Sequence, residues 1–345
     1  MNTYTLKVVD VKRESKDAVT LCFKQPGLKK IRYLSGQYLT LIFRINGRRY
    51  LRPYSFSSAP GVDVFLEVTI KRVANGIVSN YINDTVAIGD TIEALQPMGD
   101  FVYPLGKSFG TIFLWGVGSG VTPLFSLLKF ILNEDSLNES NVHLIYGNHN
   151  IESTLFWNPL HILQKDNPDK FRITHFHTRS EEDEDSNVSI KGRIQPESVL
   201  ENYTPEEIKT SIHYICGPID LKRNIKKTLS NYNVADGQIL IEDFELVKDP
   251  NDFIDVETQK ITLDFENKVV EVEVFKGKSV LEAALDVNIE LPYSCQTGNC
   301  STCKGTLVSG EMKMIGLDKP RTDLVENEYL LCCSYPLTDD VIIKI

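Results

Sequence analysis

Apolar and polar residues alternate in short runs over the first hundred positions, at residues 5–9, 18–23, 38–43 and 64–70. Pro26-Gly27, Asn46-Gly47 and Pro60-Gly61 punctuate these runs. A period of two broken by turn dipeptides predicts the strands of an antiparallel β-barrel. From about Ser108 the rhythm changes. An apolar strand at 111–115 leads into a glycine-rich turn, a helix at 124–132 and a strand at 142–146, with further strands at 171–177, 213–216 and 238–241. That alternation predicts an α/β doubly wound parallel sheet. Lys248-Asp249-Pro250-Asn251-Asp252 is polar and carries a proline, so a linker is expected there. A third pattern follows, with strands at 260–265 and 269–274 turning across Glu266-Asn267-Lys268 and a short helix at 280–286. The expected domains are 1–105, 106–246 and 259–345, with 247–258 linking the last two.

Length and charge narrow the classes. A chain of 345 residues has room for two or three domains at about 150 residues each. Its 37 Lys+Arg against 47 Asp+Glu give a net charge of −10, and no basic patch offsets it, so nucleic acid is not an expected partner. The N-terminal residues carry Lys7, Asp10 and Lys12 with no apolar run of the kind that directs export, and a cytoplasmic location is expected. Residues 111–128 are uncharged, yet Gly116, Gly118, Gly120 and Pro123 interrupt them at turn positions. This favours buried strand, turn and helix, and no integral membrane segment is expected.

Seven cysteines without an export signal argue against a disulfide framework. Five of them fall late in the chain, where Cys295, Cys300 and Cys303 form C-x4-C-x2-C and Cys332 follows after a long excursion. This is the plant-type spacing for a [2Fe–2S] cluster. Zinc also takes four thiolates, but zinc ribbons usually supply two close C-x2-C pairs, and here the fourth cysteine is separate. Pro292-Tyr293-Ser294-Cys295 before the loop and Cys332-Cys333-Ser334-Tyr335-Pro336 at its close resemble plant-type ferredoxins. The resemblance implies an α+β (β-grasp) domain with metal ligands Cys295, Cys300, Cys303 and Cys332. It leaves Cys333 as a buried thiol, although spacing alone does not separate the two neighbours.

Arg52-Pro53-Tyr54-Ser55 closes a strand of the expected barrel, and Gly76-Ile77-Val78-Ser79 opens an apolar helical pattern. A guanidinium suits a phosphate, a tyrosine ring offers flat apolar area, and a helix N-terminus receives anions. Further on, Gly116-Val117-Gly118-Ser119-Gly120-Val121-Thr122-Pro123 joins strand to helix, and Cys216-Gly217-Pro218 ends a later strand. These elements, in this order, resemble the ferredoxin–NADP reductase superfamily. The resemblance implies that Arg52 pairs with the FAD pyrophosphate, Tyr54 packs on the isoalloxazine and Ser55 hydrogen-bonds flavin N5. It places Gly76, Ile77, Val78 and Ser79 at the flavin phosphates, with the Ser79 hydroxyl capping the helix. Gly116, Gly118, Gly120, Thr122 and Pro123 are assigned to the coenzyme, and Cys216, Gly217 and Pro218 to the nicotinamide. Glu242 and Phe244 would stand near the flavin, Phe244 covering the ring. Choice between NAD and NADP stays open: residues 147–150 carry no clear partner for the 2′ position, and Arg179, which could hold a phosphate, precedes a run of acids. His175 and His177 share a strand face, and in the absence of a third ligand they are read as packing or solvent residues rather than a metal site.

The domain order resembles oxygenase reductase components of the phenylacetyl-CoA oxygenase reductase type. It implies an NAD(P)H-dependent oxidoreductase passing electrons through FAD and a [2Fe–2S] cluster to a protein acceptor, an oxygenase or hydroxylase component. A reductase serving a desaturase or another ferredoxin-linked acceptor, or a non-catalytic redox-sensing module, are the alternatives.

Overall fold

The computed structural model describes residues 3–27, 30–104, 106–137, 139–179, 189–317 and 320–345. The acidic run at 181–185 lies outside them. The first strands are β1 (Thr3–Ser15), β2 (Ala18–Phe23), β3 (Tyr38–Ile45), β4 (Arg48–Ser55) and β5 (Leu66–Lys71). Helix α1 (Ile77–Thr85) and strand β6 (Thr91–Leu95) complete the group, β6 being a strand the alternation did not reveal. They form one sheet in the order β4-β3-β6-β1-β2-β5, which curls until Phe56, just past β4, bridges to Val68 on β5. Strand β1 is long because it pairs with β2 through its second half and with β6 through its first, with register shifts near Val8 and Arg13. Gly36 is required where the sheet closes: a Cβ there would lie 1.9 Å from the Phe101 carbonyl oxygen, and its φ is +95°.

The α/β part runs β7 (Thr111–Val117), α2 (Val121–Asn133), β8 (Asn141–Asn148), α3 (Trp157–Asp166), β9 (Phe171–His177) and β10 (Ser189–Lys191). It continues with α4 (Pro196–Leu200), α5 (Pro205–Thr210), β11 (Ile212–Cys216), α6 (Ile219–Asn231) and β12 (Ile239–Glu242). All strands are parallel in the order β10-β9-β8-β7-β11-β12. Strand β7 is buried on both faces, and its successive side chains enter two different cores. Ile112 and Leu114 join one core with Leu124, Leu127 and Leu160, while Phe113 and Trp115 join the other with Ile208, Ile225 and Leu229. Apolar side chains on both faces of a strand call for helices on both faces of its sheet. Helix α2 begins at Val121, three residues before the expected start, so Thr122 and Pro123 belong to its first turn, where proline costs no hydrogen bond.

The C-terminal strands are β13 (Gln259–Phe265) and β14 (Lys268–Val274), followed by α7 (Val280–Asp286). Next come β15 (Lys304–Ser309), β16 (Met312–Met314), β17 (Glu328–Leu330), β18 (Ser334–Pro336) and β19 (Ile342–Lys344). The main sheet has the order β14-β13-β19-β15-β17. The β13–β14 turn is two residues long, with Glu266 and Asn267 both at positive φ, the geometry of a tight hairpin. Ser279 and Glu282 form a reciprocal cap on α7, whose Val280, Leu281, Ala283 and Ala284 are buried. The expected linker is ordered as a short 3-10 turn over Pro250–Phe253, started by the Asp249 carboxylate accepting from Asn251 N–H.

By contact density the chain divides into two compact units, 1–41 with 54–242, and 42–53 with 243–345. The β3–β4 hairpin end therefore groups with the C-terminal strands. Among the described residues no helix is long and apolar enough to cross a membrane.

Candidate functional site

The cysteine loop shapes itself around sulfur. Cys295 Sγ accepts from Thr297 N–H at 3.4 Å and Cys300 N–H at 3.3 Å. Two backbone positions make this possible, Gln296 at φ +60° and Gly298 at φ +73°. The thiols of Cys300 and Cys332 also hydrogen-bond to Cys295. These bonds hold Cys295 far below the ordinary thiol range and push Cys300 and Cys332 well above it, with burial adding to the rise in both. Cys303 is lowered mainly by a bond from Cys332. The four expected ligands thus converge, and N–H groups favour thiolate at their centre, which is what a cluster needs. Cys333 Sγ turns to the Leu330 carbonyl at 3.3 Å and is fully buried. Among the described residues no three His, Cys, Asp or Glu side chains are arranged to hold one metal ion. A [2Fe–2S] cluster shares its four thiolates between two irons, so it does not require such a group.

Arg321 holds the loop from outside. Its guanidinium donates to the Gly298 carbonyl and, at 2.8 Å, to Ser301 Oγ, and it is braced by Asp323. That pairing raises the Arg321 pKa and lowers that of Asp323. No spacing rule pointed to Arg321, because its partners are carbonyl and hydroxyl groups far along the chain.

The strand expected to meet the flavin, β4, carries Arg52, Pro53, Tyr54 and Ser55, with Ser55 buried and the other three half-buried. Arg52 donates to its neighbour Leu51's carbonyl at 2.8 Å and lies over the Tyr50 ring, and it makes no ion pair among the described residues. A half-buried guanidinium without a carboxylate suits an anionic ligand. Gly76 caps α1, and Ile77 is exposed at its open end. The Ser79 hydroxyl does not cap the helix as expected. It accepts instead from Val73 N–H at 3.1 Å, because the tight turn from Val73 to Gly76 brings that donor closer.

The residues expected to bind the coenzyme lie where the strand order reverses, between β7 and β11. Such a switch point opens a crevice at the strands' C-terminal ends. Gly116 and Cys216 are register partners across it. A Cβ on Gly120 would lie 2.3 Å from the Cys216 carbonyl oxygen, so only glycine lets the turn pack there. Gly118 has φ +55° with open space before it, and its carbonyl accepts from the Tyr146 hydroxyl of β8 at 3.0 Å. Tyr146 was missed by the sequence reading; its position at the end of the strand beside the glycine turn was the available signal. Thr122 Oγ1 donates to the Ser119 carbonyl at 2.9 Å, tying the helix start to the turn. A Cβ on Gly217 would lie 3.2 Å from Leu221 and 3.3 Å from Val117, closer than ordinary contact, and Pro218 caps α6.

Arg179 N–H donates to the His149 carbonyl at 2.7 Å, and His149 Nδ1 pairs with Thr178 Oγ1 at 3.0 Å. The two stretches considered for the coenzyme's 2′ position therefore meet. Glu242 ends β12 and Phe244 follows, half exposed. His175 packs on the rings of Trp157 and His161, as the packing reading expected.

Three families match the chain. Residues 5–103 match the oxidoreductase FAD-binding domain, 114–227 the oxidoreductase NAD-binding domain, and 264–337 the 2Fe-2S iron-sulfur cluster binding domain. One of the polypeptides that make up 1,2-phenylacetyl-CoA epoxidase in Escherichia coli is 30% identical, over 99% of this chain and 97% of its own length. The chain belongs to this reductase family. It is an electron-transfer oxidoreductase with FAD-, NAD- and [2Fe–2S]-binding domains. The ferredoxin reductase component of 3-ketosteroid-9-alpha-monooxygenase from Rhodococcus rhodochrous is 29% identical over 98% of this reductase and 96% of its own length. Phthalate dioxygenase reductase shares the fold across all of the chain and 98% of its own, with a TM-score of 0.67 and 23% identity.

Proposed function

We propose that this reductase carries electrons from NAD(P)H through FAD and a [2Fe–2S] cluster to an oxygenase or hydroxylase component in the cytoplasm. The observation that carries the reading is the presence of all three domains in one chain that aligns end to end with oxygenase reductase components. Nicotinamide releases two electrons as hydride and a cluster takes one, so a carrier competent in both regimes has to stand between them, and FAD supplies that chemistry.

The chain's residues then divide the work. Arg52, with no carboxylate partner among the described residues, neutralises the flavin pyrophosphate, assisted by the α1 N-terminus at Gly76, Ile77, Val78 and Ser79. Tyr54 and Ser55 orient the isoalloxazine. Gly116, Gly118 and Gly120, with Thr122 and Pro123 at the helix start, receive the coenzyme pyrophosphate, and Cys216, Gly217 and Pro218 hold the nicotinamide beside them. Arg179, joined to His149, faces the 2′ substituent, and Glu242 and Phe244 border the flavin. Cys295, Cys300, Cys303 and Cys332 hold the cluster. The flavin domain is taken as 1–105, the nucleotide domain as 106–246 and the cluster domain as 259–345.

An anaerobic visible titration with NADH and NADPH separately tests this. Flavin bands and longer-wavelength cluster absorbance should both bleach, one coenzyme acting at lower concentration. A flavin reduced by neither coenzyme, or stoichiometric zinc in place of iron, overturns the reading.

A further inference from the structure

Leu51 of β4 is held on both sides of its peptide by the cluster loop. Its N–H donates to the Tyr293 hydroxyl at 3.1 Å, and its carbonyl accepts from Gln296 Nε2 at 3.3 Å as well as from Arg52. Leu51 and Tyr293 are each 2% exposed. Tyr293 stands two residues before Cys295 and Gln296 one after it. One residue of the flavin-binding strand is therefore bonded to both flanks of a cluster ligand.

The backbone of Gln296 gives a second, independent observation. Its φ of +60° is a conformation in which glycine is at ease and a long side chain is not. A glutamine there gains from its reach, and its amide spans the gap to Leu51. Around this contact Arg48 pairs with Asp286 at 3.0 Å, and Arg44 and Arg49 face Glu290 at 3.8 and 3.7 Å. Those pairs are exposed and screened by salt, so they bring the surfaces together without fixing them. The bonds to Leu51, whose peptide is buried, set the register.

We propose that Tyr293 and Gln296 are positioning residues that lock the cluster loop onto β4 beside Arg52 and so set the rate of electron transfer from flavin to cluster. The inference rests on the electron-transfer reading above. One NAD(P)H supplies two electrons, which leave in two single-electron steps. Each step oxidises the reduced flavin by one electron, reduces one cluster by one, and ends when the one-electron acceptor reoxidises the cluster.

The test uses the full-length holoprotein with Gln296→Glu, Gln296→Gly and Tyr293→Phe. In Gln296→Glu a carboxylate faces the Leu51 carbonyl with no hydrogen to donate. Anaerobic stopped flow with NAD(P)H should show cluster bleaching slowed about tenfold or more, while flavin reduction and ferricyanide turnover stay native. Gln296→Gly keeps the backbone and loses the bond, and should slow the step by about threefold to tenfold. In Tyr293→Phe, hydrogen exchange at the Leu51 amide should quicken by about tenfold or more, a readout independent of turnover. Native cluster-reduction rates in Gln296→Glu and Gln296→Gly, or unchanged exchange at Leu51 in Tyr293→Phe, overturn the proposal. So does a cluster potential shifted enough to explain the slower rate, which would make Gln296 a tuning group. Wild-type protein whose flavin reduces but whose cluster never does would instead defeat the electron-transfer reading itself.

Discussion

The cluster loop and the nucleotide turn are both glycine-containing and both gather their functional groups at a bend, yet they are held in different ways. In the loop, Cys295 Sγ is served by N–H groups two and five residues further on, and Gln296 and Gly298 supply the left-handed turns. In the turn, Gly116 meets Cys216 across two strands, Tyr146 arrives from a third, and Gly120 rests on the Cys216 carbonyl. One site is organised by its own backbone and the other by the packing of a sheet. Damage to the loop should remove one redox centre and spare the rest. Damage to the turn should stop the coenzyme and everything downstream of it.

The largest separation comes from Cys300→Ser. Without that thiolate the cluster absorbance should be lost and reduction of a protein acceptor should fall about 100-fold or more, while NAD(P)H oxidation by ferricyanide continues from the flavin. Cys333→Ser is the control. Its hydroxyl can still donate to the Leu330 carbonyl, so the cluster should stay loaded. If both activities fall together in folded, flavin-loaded Cys300→Ser, the two regions are not separable.

On the other side, Gly120→Ala places a methyl group 2.3 Å from a backbone oxygen that cannot move without shifting β11. Both activities should fall together, with kcat/KM for NAD(P)H down by about 100-fold. Gly118→Ala meets open space and suffers only from its φ of +55°, at about 1–2 kcal/mol, so its loss should be smaller. Steady-state kinetics with both acceptors decide the point, and equal losses in the two variants would mean that packing against Cys216 is not what shapes the turn.

A smaller effect distinguishes coenzymes. Arg179→Ala should raise KM for NADPH by about tenfold and leave NADH within about twofold, the weight of one charge-assisted phosphate contact. Equal changes for both coenzymes would place Arg179 away from the 2′ position.

What could be read from the sequence follows the same division. Cys295, Cys300 and Cys303 are legible because the spacing within one loop is itself the geometry, and the β13–β14 hairpin is legible because Glu266-Asn267 can take the two positive φ values of its turn. Strand β2 (Ala18–Phe23) and helix α7 (Val280–Asp286) fall where the apolar periods put them. Strand β6 was hidden: only Ile92, Ala94 and Leu95 of Thr91–Leu95 are buried, too short a run to show a period. Tyr146, Arg321 and Gln296 were hidden for another reason. Each acts through a backbone carbonyl that only the folded chain brings near, and no side-chain pattern announces a carbonyl partner.

Acid should part the two regions once more. All six histidines lie between His143 and His213, and both tryptophans, Trp115 and Trp157, are in the same domain. Burial holds His143, His175 and His213 down to about 3, with Arg172 adding to the effect at His143 and the neighbouring His161 and His177 at His175. His213 shows the reason in its bonds. Its Nδ1 accepts from Trp115 Nε1–H at 3.2 Å, so its proton sits on Nε2 and points to Ser211 Oγ at 2.7 Å, leaving no place for a second one. A histidine with a folded pKa below its unfolded value of about 6.5 destabilises as pH falls, because only the unfolded chain takes the proton. Each should cost about 1.4 kcal/mol per pH unit from about pH 6.5 downward, saturating near pH 3. Tryptophan fluorescence of the apoprotein should therefore show its denaturation midpoint in urea dropping steadily from pH 7 to pH 5. A midpoint that holds constant over that range would mean that the folded sheet takes up these protons as readily as the unfolded chain.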